Sequence, residues 1–121
     1  MTAVVAAVDD LFFGAKIAET AARLNVPLVL VRSIEELDEK LRAEKPGLVI
    51  FDLNAEGCRP LEAIRQLTAD PGLKDTAVLA FFSHVQHELR AAAVEAGCRR
   101  VMARSAFTAQ LPEILRPYAT G

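Results

Sequence analysis

The chain alternates short apolar runs of strand-forming residues with amphipathic helical segments, and it does so five times. The runs are almost continuously apolar, so both faces of each strand should be covered, as in a parallel sheet flanked by helices. Right-handed crossover connections then leave few topologies for this α/β fold, and the one we predict is a doubly wound sheet of five parallel strands in the order 2-1-3-4-5. The predicted strands are residues 3–8, 27–31, 47–52, 76–82 and 99–103.

The helical segments carry their own boundary signals. In each segment, apolar residues recur three or four positions apart, which predicts one buried face. Ser33 is followed three residues later by Glu36, and Ser83 by Gln86. This spacing favours a capping box at the start of the second and fourth helices. Gly97 is a plausible stop for the fourth helix, directly before the fifth strand.

Composition narrows the class of protein. A length of 121 residues suits a single domain, residues 1–121, and an apolar fraction of 52% is enough for a sizeable core. The net charge of -2, without a basic run, argues against nucleic-acid binding. No apolar stretch approaches the roughly 20 residues of a membrane-spanning helix. Cys58 and Cys98 lack CxxC spacing, which favours two reduced thiols in a cytoplasmic protein.

Three aspartates follow apolar runs. Asp9 and Asp10 come after the first predicted strand, and Asp52 ends the third. Carboxylates are poor strand formers and costly to bury, so these side chains should lie where the strands leave the core. In the order 2-1-3-4-5, strands 1 and 3 are neighbours at the switch point, where the ligand crevice lies. We therefore expect the three carboxylates to meet at one edge of the sheet.

Such a cluster indicates a bound cation, because neighbouring carboxylates repel one another. Magnesium suits the site, since it takes a few carboxylates, keeps several waters and accepts phosphate oxygens. Beside this ion, Asp52 would be a nucleophile towards an activated phosphoryl group and form an acyl phosphate. Arg104 follows the fifth strand and Ser83 the fourth, so both should reach the same edge and contact phosphoryl oxygens. The alternative for Arg104 is a surface arginine without a role in the site. The alternative for Ser83 is a helix N-cap.

With these residues the chain resembles a receiver domain of the two-component response regulators, over essentially its whole length. Val8-Asp9-Asp10 is similar to the acidic pair of that family, residues 52–57 to its phosphoacceptor and following loop, and residues 95–97 to the end of its fourth helix. The resemblance implies that Asp52 accepts the phosphoryl group. It also implies that Asp9, Asp10, Asp52 and the backbone carbonyl of Asn54 bind Mg2+.

The sequence departs from the family pattern at its switch residues. Counting back from Gly97, the Thr/Ser position falls on Phe82, and only a one-residue deletion places Ser83 there. The aromatic switch residue is replaced by Val101, and the lysine by Arg104. Arginine is larger, planar and able to bind a carboxylate through two parallel hydrogen bonds. It would either grip the phosphoryl group or lock onto unmodified Asp52. Because Phe82 and Val101 replace the switch residues while the metal and acceptor residues remain, the chemistry is better retained than the relay.

Phe12 falls on the polar face of the first predicted helix, with Lys16, Glu19 and Arg23. We expect a partly exposed ring at the rim of the acidic crevice, where it shields the acceptor or contacts a partner. The alternative is packing on the adjacent loop.

The leading interpretation is a stand-alone receiver, not an enzyme, in phosphorelay signal transduction. By resemblance, a sensor kinase or phosphotransfer protein would donate the phosphoryl group. A downstream protein would bind the surface of the fourth helix, fifth strand and fifth helix. The alternative is a pseudo-receiver, the same fold used as an interaction module independent of phosphate.

Enzyme interpretations fit less well. A flavodoxin-like flavin site needs a phosphate-cradling loop after the first strand, and Asp9-Asp10 would repel that phosphate. A phosphatase with an aspartate nucleophile would have Asp-x-Asp after its first strand, and this chain does not.

Overall fold

The protein folds around a parallel five-stranded sheet with helices on both faces, in a computed structural model that describes residues 3–83 and 87–120. The strand order is β2-β1-β3-β4-β5, which confirms the predicted flavodoxin-like topology. Every predicted strand is present, and each begins one residue later than predicted. The strands are β1 (Val4–Ala7), β2 (Leu28–Val31), β3 (Leu48–Asp52), β4 (Ala77–Phe82) and β5 (Arg100–Ala103).

Five α-helices connect and cover the strands. They are α1 (Leu11–Arg23), α2 (Ile34–Glu44), α3 (Pro60–Ala69), α4 (His87–Glu95) and α5 (Arg104–Leu115). Short 3-10 turns follow β3, α3 and α5, at Glu56–Cys58, Pro71–Leu73 and Arg116–Tyr118. Within the described ranges, no helix is long and apolar enough to cross a membrane.

Local sequence explains several helix boundaries. The Ser33 hydroxyl accepts a hydrogen bond from the Glu36 amide at 3.2 Å, so the predicted cap of α2 is confirmed. The second predicted box includes Gln86, which lies outside the described residues. Gly97 lies between the end of α4 and the start of β5, and its backbone has a positive φ of 112°. A Cβ atom there would lie 2.7 Å from the Thr68 hydroxyl oxygen, so only glycine fits.

The sheet is buried on both sides, as its apolar strands predict. On one side, Phe51 packs with Leu37 of α2 and Ile64 of α3. On the other, Ile50 packs with Ile17 of α1 and with residues of α5. Successive strand residues therefore point into opposite cores, and polar groups can collect only at the strand ends.

Candidate functional site

The three aspartates lie at the same edge of the sheet. Asp52 is the last residue of β3, and Asp9 and Asp10 form the connection between β1 and α1. β1 and β3 pair in parallel, with Ala7 opposite Phe51. The chain therefore leaves both strands at the same end, where the carboxylates come into electrostatic range of one another.

Asp52 is the buried member of the group, with 4% of its surface exposed. Its Oδ1 accepts a hydrogen bond from the Asn54 amide at 2.9 Å. Burial raises the pKa of the Asp52 carboxyl above its ordinary value, and the negative charges of Asp9 and Asp10 raise it further. The Asn54 hydrogen bond and the charge of Arg104 oppose that rise. The site thus holds a poorly solvated carboxylate that a cation would stabilise.

Asp10 has protein partners on both carboxylate oxygens. Oδ1 accepts a hydrogen bond from the Phe13 amide at 3.0 Å, so Asp10 is the N-cap of α1. Oδ2 lies 3.5 Å from a guanidinium nitrogen of Arg104. The Phe13 hydrogen bond and the Arg104 charge hold the pKa of Asp10 below its ordinary value. Asp9 is half-buried, and no residue of the described chain forms a hydrogen bond or ion pair with it.

Arg104 is the first residue of α5 and reaches three other parts of the site. Besides the ion pair with Asp10, one of its nitrogens lies 3.5 Å from the Ser83 hydroxyl oxygen. Its guanidinium carbon lies 3.9 Å from the centroid of the Phe13 ring. Among residues 3–83 and 87–120, no ion pair joins it to Asp52. Arg104 is therefore paired with Asp10, and it does not form the ion pair with Asp52 that was one of its two expected roles.

Asn54 and Ser83 link the loops after β3 and β4. The Ser83 amide donates a hydrogen bond of 2.9 Å to the side-chain oxygen of Asn54. Because the Asn54 amide bonds Asp52, the loop after β3 is tied to the Ser83 loop through one residue. Sequence reasoning assigned only the Asn54 carbonyl to the site and missed this side-chain role. It also missed Phe13, whose position three residues after the Asp10 cap is its only local signal.

Solved structures of response regulators share this architecture over nearly the whole chain. The phosphorylated response regulator of a cyanobacterial phytochrome is 24% identical, with a TM-score of 0.78 over 94% of this chain and 88% of that chain. A chemotaxis response regulator of Vibrio cholerae is 15% identical, with a TM-score of 0.82 over 98% of each chain. The receiver domain of a Pseudomonas aeruginosa sensor histidine kinase, with magnesium in its active-site cleft, is 16% identical, with a TM-score of 0.81 over 95% of this chain and 94% of that chain. The chain has the receiver-domain fold.

No protein-family model matches the sequence, and no curated protein matches it. The receiver fold is therefore established by three-dimensional similarity.

The two predicted switch positions, Phe82 and Val101, carry apolar side chains. Phe82 ends β4 with 9% of its surface exposed and packs in the core under α2, α3 and α4. Val101 in β5 is partly buried against the same core. Neither side chain offers a hydroxyl group. The polar contacts at the end of β4 come from Ser83, one residue further along.

Phe12 is exposed over 90% of its surface, so it does not pack on the adjacent loop. Its neighbour Leu11, which the sequence analysis did not single out, is 66% exposed. The receiver fold therefore presents two apolar side chains beside Asp10, at the first turn of α1.

The donor set fits Mg2+ better than a metal enclosed by protein. In the part of the chain that the structure describes, no three His, Cys, Asp or Glu side chains are gathered tightly enough to hold an ion by themselves. Magnesium does not require this, because it binds through one or two carboxylates and keeps waters as its other ligands. Asp9, whose carboxylate has no hydrogen-bond or ion-pair partner among residues 3–83 and 87–120, and the buried Asp52 are suitable oxygen donors.

Proposed function

We propose that the protein is a receiver domain of a phosphorelay that accepts a phosphoryl group on Asp52. The observation that carries the proposal is the burial of this carboxylate at the switch point of a receiver fold, with its pKa raised by burial and by Asp9 and Asp10. A buried carboxylate without a bonded cation partner is costly to keep for stability alone. Its cost is explained if the group has a chemical role.

In the proposed reaction, an Asp52 oxygen attacks the phosphorus atom of a phosphohistidine on a sensor kinase or phosphotransfer protein. The new O–P bond forms while the P–N bond breaks, and the nitrogen keeps the electron pair and takes up a proton. The Asn54 amide holds Oδ1 of Asp52 and so fixes the orientation of the carboxylate. The Ser83 hydroxyl and the Arg104 guanidinium are the donors for the oxygens of the transferred group.

Asp9, Asp10, Asp52 and the Asn54 carbonyl would hold Mg2+. When bound, the ion neutralises the charge of the carboxylates and of the incoming phosphoryl group. This assignment is supported by the type of donor and by the meeting of the β1 and β3 ends.

The output is proposed to be a protein contact rather than an enzymatic reaction. The surface of α4, β5 and α5 is the proposed binding region for a downstream protein. In α4, Val94 is exposed over 56% of its surface, so one apolar side chain is accessible on this helix. A stand-alone role and a cytoplasmic location remain predictions from the sequence.

The test is incubation with Mg2+ and acetyl phosphate, followed by intact mass. We expect wild-type protein to gain the mass of one phosphoryl group, Asp52→Asn to gain none, and Asp75→Asn to behave like wild type. Asp75 is a matched control, since it is an exposed aspartate remote from the carboxylate cluster. Equal labelling of the Asp52→Asn variant would exclude Asp52 as the acceptor.

The pseudo-receiver is the second candidate, and the Arg104–Asp10 ion pair favours it. A guanidinium already neutralises part of the acidic crevice, and Phe82 and Val101 lack the usual switch groups. This candidate is supported if wild-type protein takes up no phosphate and if beryllofluoride with Mg2+ leaves its NMR spectrum unchanged.

A further inference from the structure

Both carboxylate oxygens of Asp10 have protein partners in this structure. One oxygen caps α1 through the Phe13 amide, and the other pairs with Arg104. A divalent ion that binds Asp10 must therefore share an oxygen with a guanidinium or replace it. Sharing brings positive charges within a few ångströms of each other, which weakens the binding of both.

Arg104 is held from several directions rather than by the ion pair alone. The face of the Phe13 ring lies under its guanidinium, and the Ser83 hydroxyl lies beside it. Its side chain is 34% exposed, so the charges are only partly screened by water. Both contacts position the arginine over the acidic crevice, and its own backbone begins α5.

We propose that Arg104 is a resident cation of the acidic crevice that a divalent ion displaces from Asp10, and that this displacement changes the packing of α1 on α5. The proposal rests on the proposed function, since it concerns the same metal site. It differs from a relay through Phe82 and Val101, which lie on the opposite side of the sheet from α1 and α5.

The aromatic residues under Arg104 provide the path. The Phe13 ring lies 5.2 Å from the Phe81 ring and 6.0 Å from the Phe107 ring, measured between centroids. Phe81 and Phe107 stack at 4.5 Å, and both are fully buried. Arg104 and Phe107 both belong to α5, and Phe13 belongs to α1. Movement of Arg104 away from Phe13 therefore changes a contact between these two helices. Because the rings are close-packed, a change in the position of Phe13 alters its contacts with Phe81 and Phe107.

The first test compares Mg2+ affinity by calorimetry, at constant ionic strength, among wild type, Arg104→Gln and Arg100→Gln. Arg100 is the matched control, because it is the first residue of β5, at the opposite end of that strand from Arg104, and its guanidinium bonds the exposed Gln110. We expect Arg104→Gln to bind Mg2+ about fivefold more tightly than wild type, as the loss of a competing ion pair allows. Arg100→Gln should change the dissociation constant by less than about twofold. Equal affinities in the two variants would overturn the proposal.

The second test uses wild-type protein alone, so it does not depend on the folding of a variant. Addition of Mg2+ should shift the NMR signals of the Arg104 side-chain N–H and of the Phe13 and Phe107 rings. By reciprocity, an ion that Arg104 repels must also weaken the hold of Arg104 on Asp10. Shifts at Phe82 and Val101 without shifts at Phe13 and Phe107 would contradict the proposed path.

The two proposals fail separately. If Arg104→Gln binds Mg2+ no more tightly than wild type, the displacement is overturned and the proposed magnesium site stands. If neither protein binds Mg2+, the magnesium site is overturned as well. Labelling of Asp52 by acetyl phosphate still tests the acceptor role independently.

Discussion

The guanidinium of Arg104 lies over the ring of Phe13, 3.9 Å from its centroid, and so joins the first residue of α5 to the first turn of α1. A planar cation on an aromatic face is an attractive arrangement, stronger when it is partly withdrawn from water. Phe13 is itself 6% exposed and packs in the core between the sheet and α1 and α5. The contact therefore connects a charged site with a buried aromatic cluster.

Replacement of Phe13 by leucine should lower the free energy of unfolding by about 1–2 kcal/mol, because ring contacts and some buried area are lost. The measurement is urea denaturation followed by circular dichroism. Phe12→Leu is the matched control, the same change at the neighbouring residue, and its 90% exposure predicts an effect within about 0.5 kcal/mol. Similar losses in both variants would contradict the assignment of Phe13 to the core.

Replacement of Asp52 by asparagine should stabilise the metal-free protein at neutral pH. Asparagine keeps an oxygen for the Asn54 amide and removes a buried charge. Since burial raises the pKa of Asp52 in the folded state, ionisation of this group costs stability. That cost grows as the pH rises from about 4, the ordinary value, through the raised value, and is absent below both.

The check is urea denaturation with EDTA, at several pH values between about 4 and 8. The difference in unfolding free energy between Asp52→Asn and wild type should increase with pH. Asp75→Asn should show no such trend, because Asp75 is exposed. A difference that falls as the pH rises would mean that folding lowers the pKa of Asp52.

Replacement of Asp10 separates its cap from its ion pair. Asp10→Asn retains a good N-cap and loses only the charge, so it should lower the free energy of unfolding slightly. Asp10→Ala also loses the hydrogen bond to the Phe13 amide and should lower it clearly more. Denaturation at low and high salt measures the loss of unfolding free energy in both variants. Equal losses in the two variants would assign the contribution of Asp10 to its ion pair with Arg104 rather than to its cap.

Replacement of Gly97 by alanine should be strongly destabilising, by about 2–3 kcal/mol. The residue has φ at 112°, and the new Cβ would lie 2.7 Å from the Thr68 hydroxyl oxygen. Gly14→Ala is the control, because Gly14 is inside α1 and its Cβ would meet Leu30 at an ordinary 3.4 Å. It should raise the melting temperature slightly, since alanine favours a helix by about 0.5–1 kcal/mol.

The sequence by itself predicted the sheet, its strand order and the edge at which the carboxylates meet. The sheet follows from apolar periodicity, and its strand order is one of the few that the rules for parallel connections allow. The edge follows from the polar residues after β1 and at the end of β3. Each is a property of adjacent residues or of chain order. The cap of α2 at Ser33 was predictable for the same reason, because its partner lies three positions away.

Only the tertiary structure decided which partner each polar side chain of the site has. Arg104 could reach Asp10 or Asp52 from the end of β5, and the ring of Phe13 and the hydroxyl of Ser83 hold it on Asp10. The hydrogen bond from the Ser83 amide to the Asn54 side chain was likewise decided by the tertiary structure. These contacts join residues far apart in the chain, and their choice depends on distances of a few ångströms that no local pattern encodes.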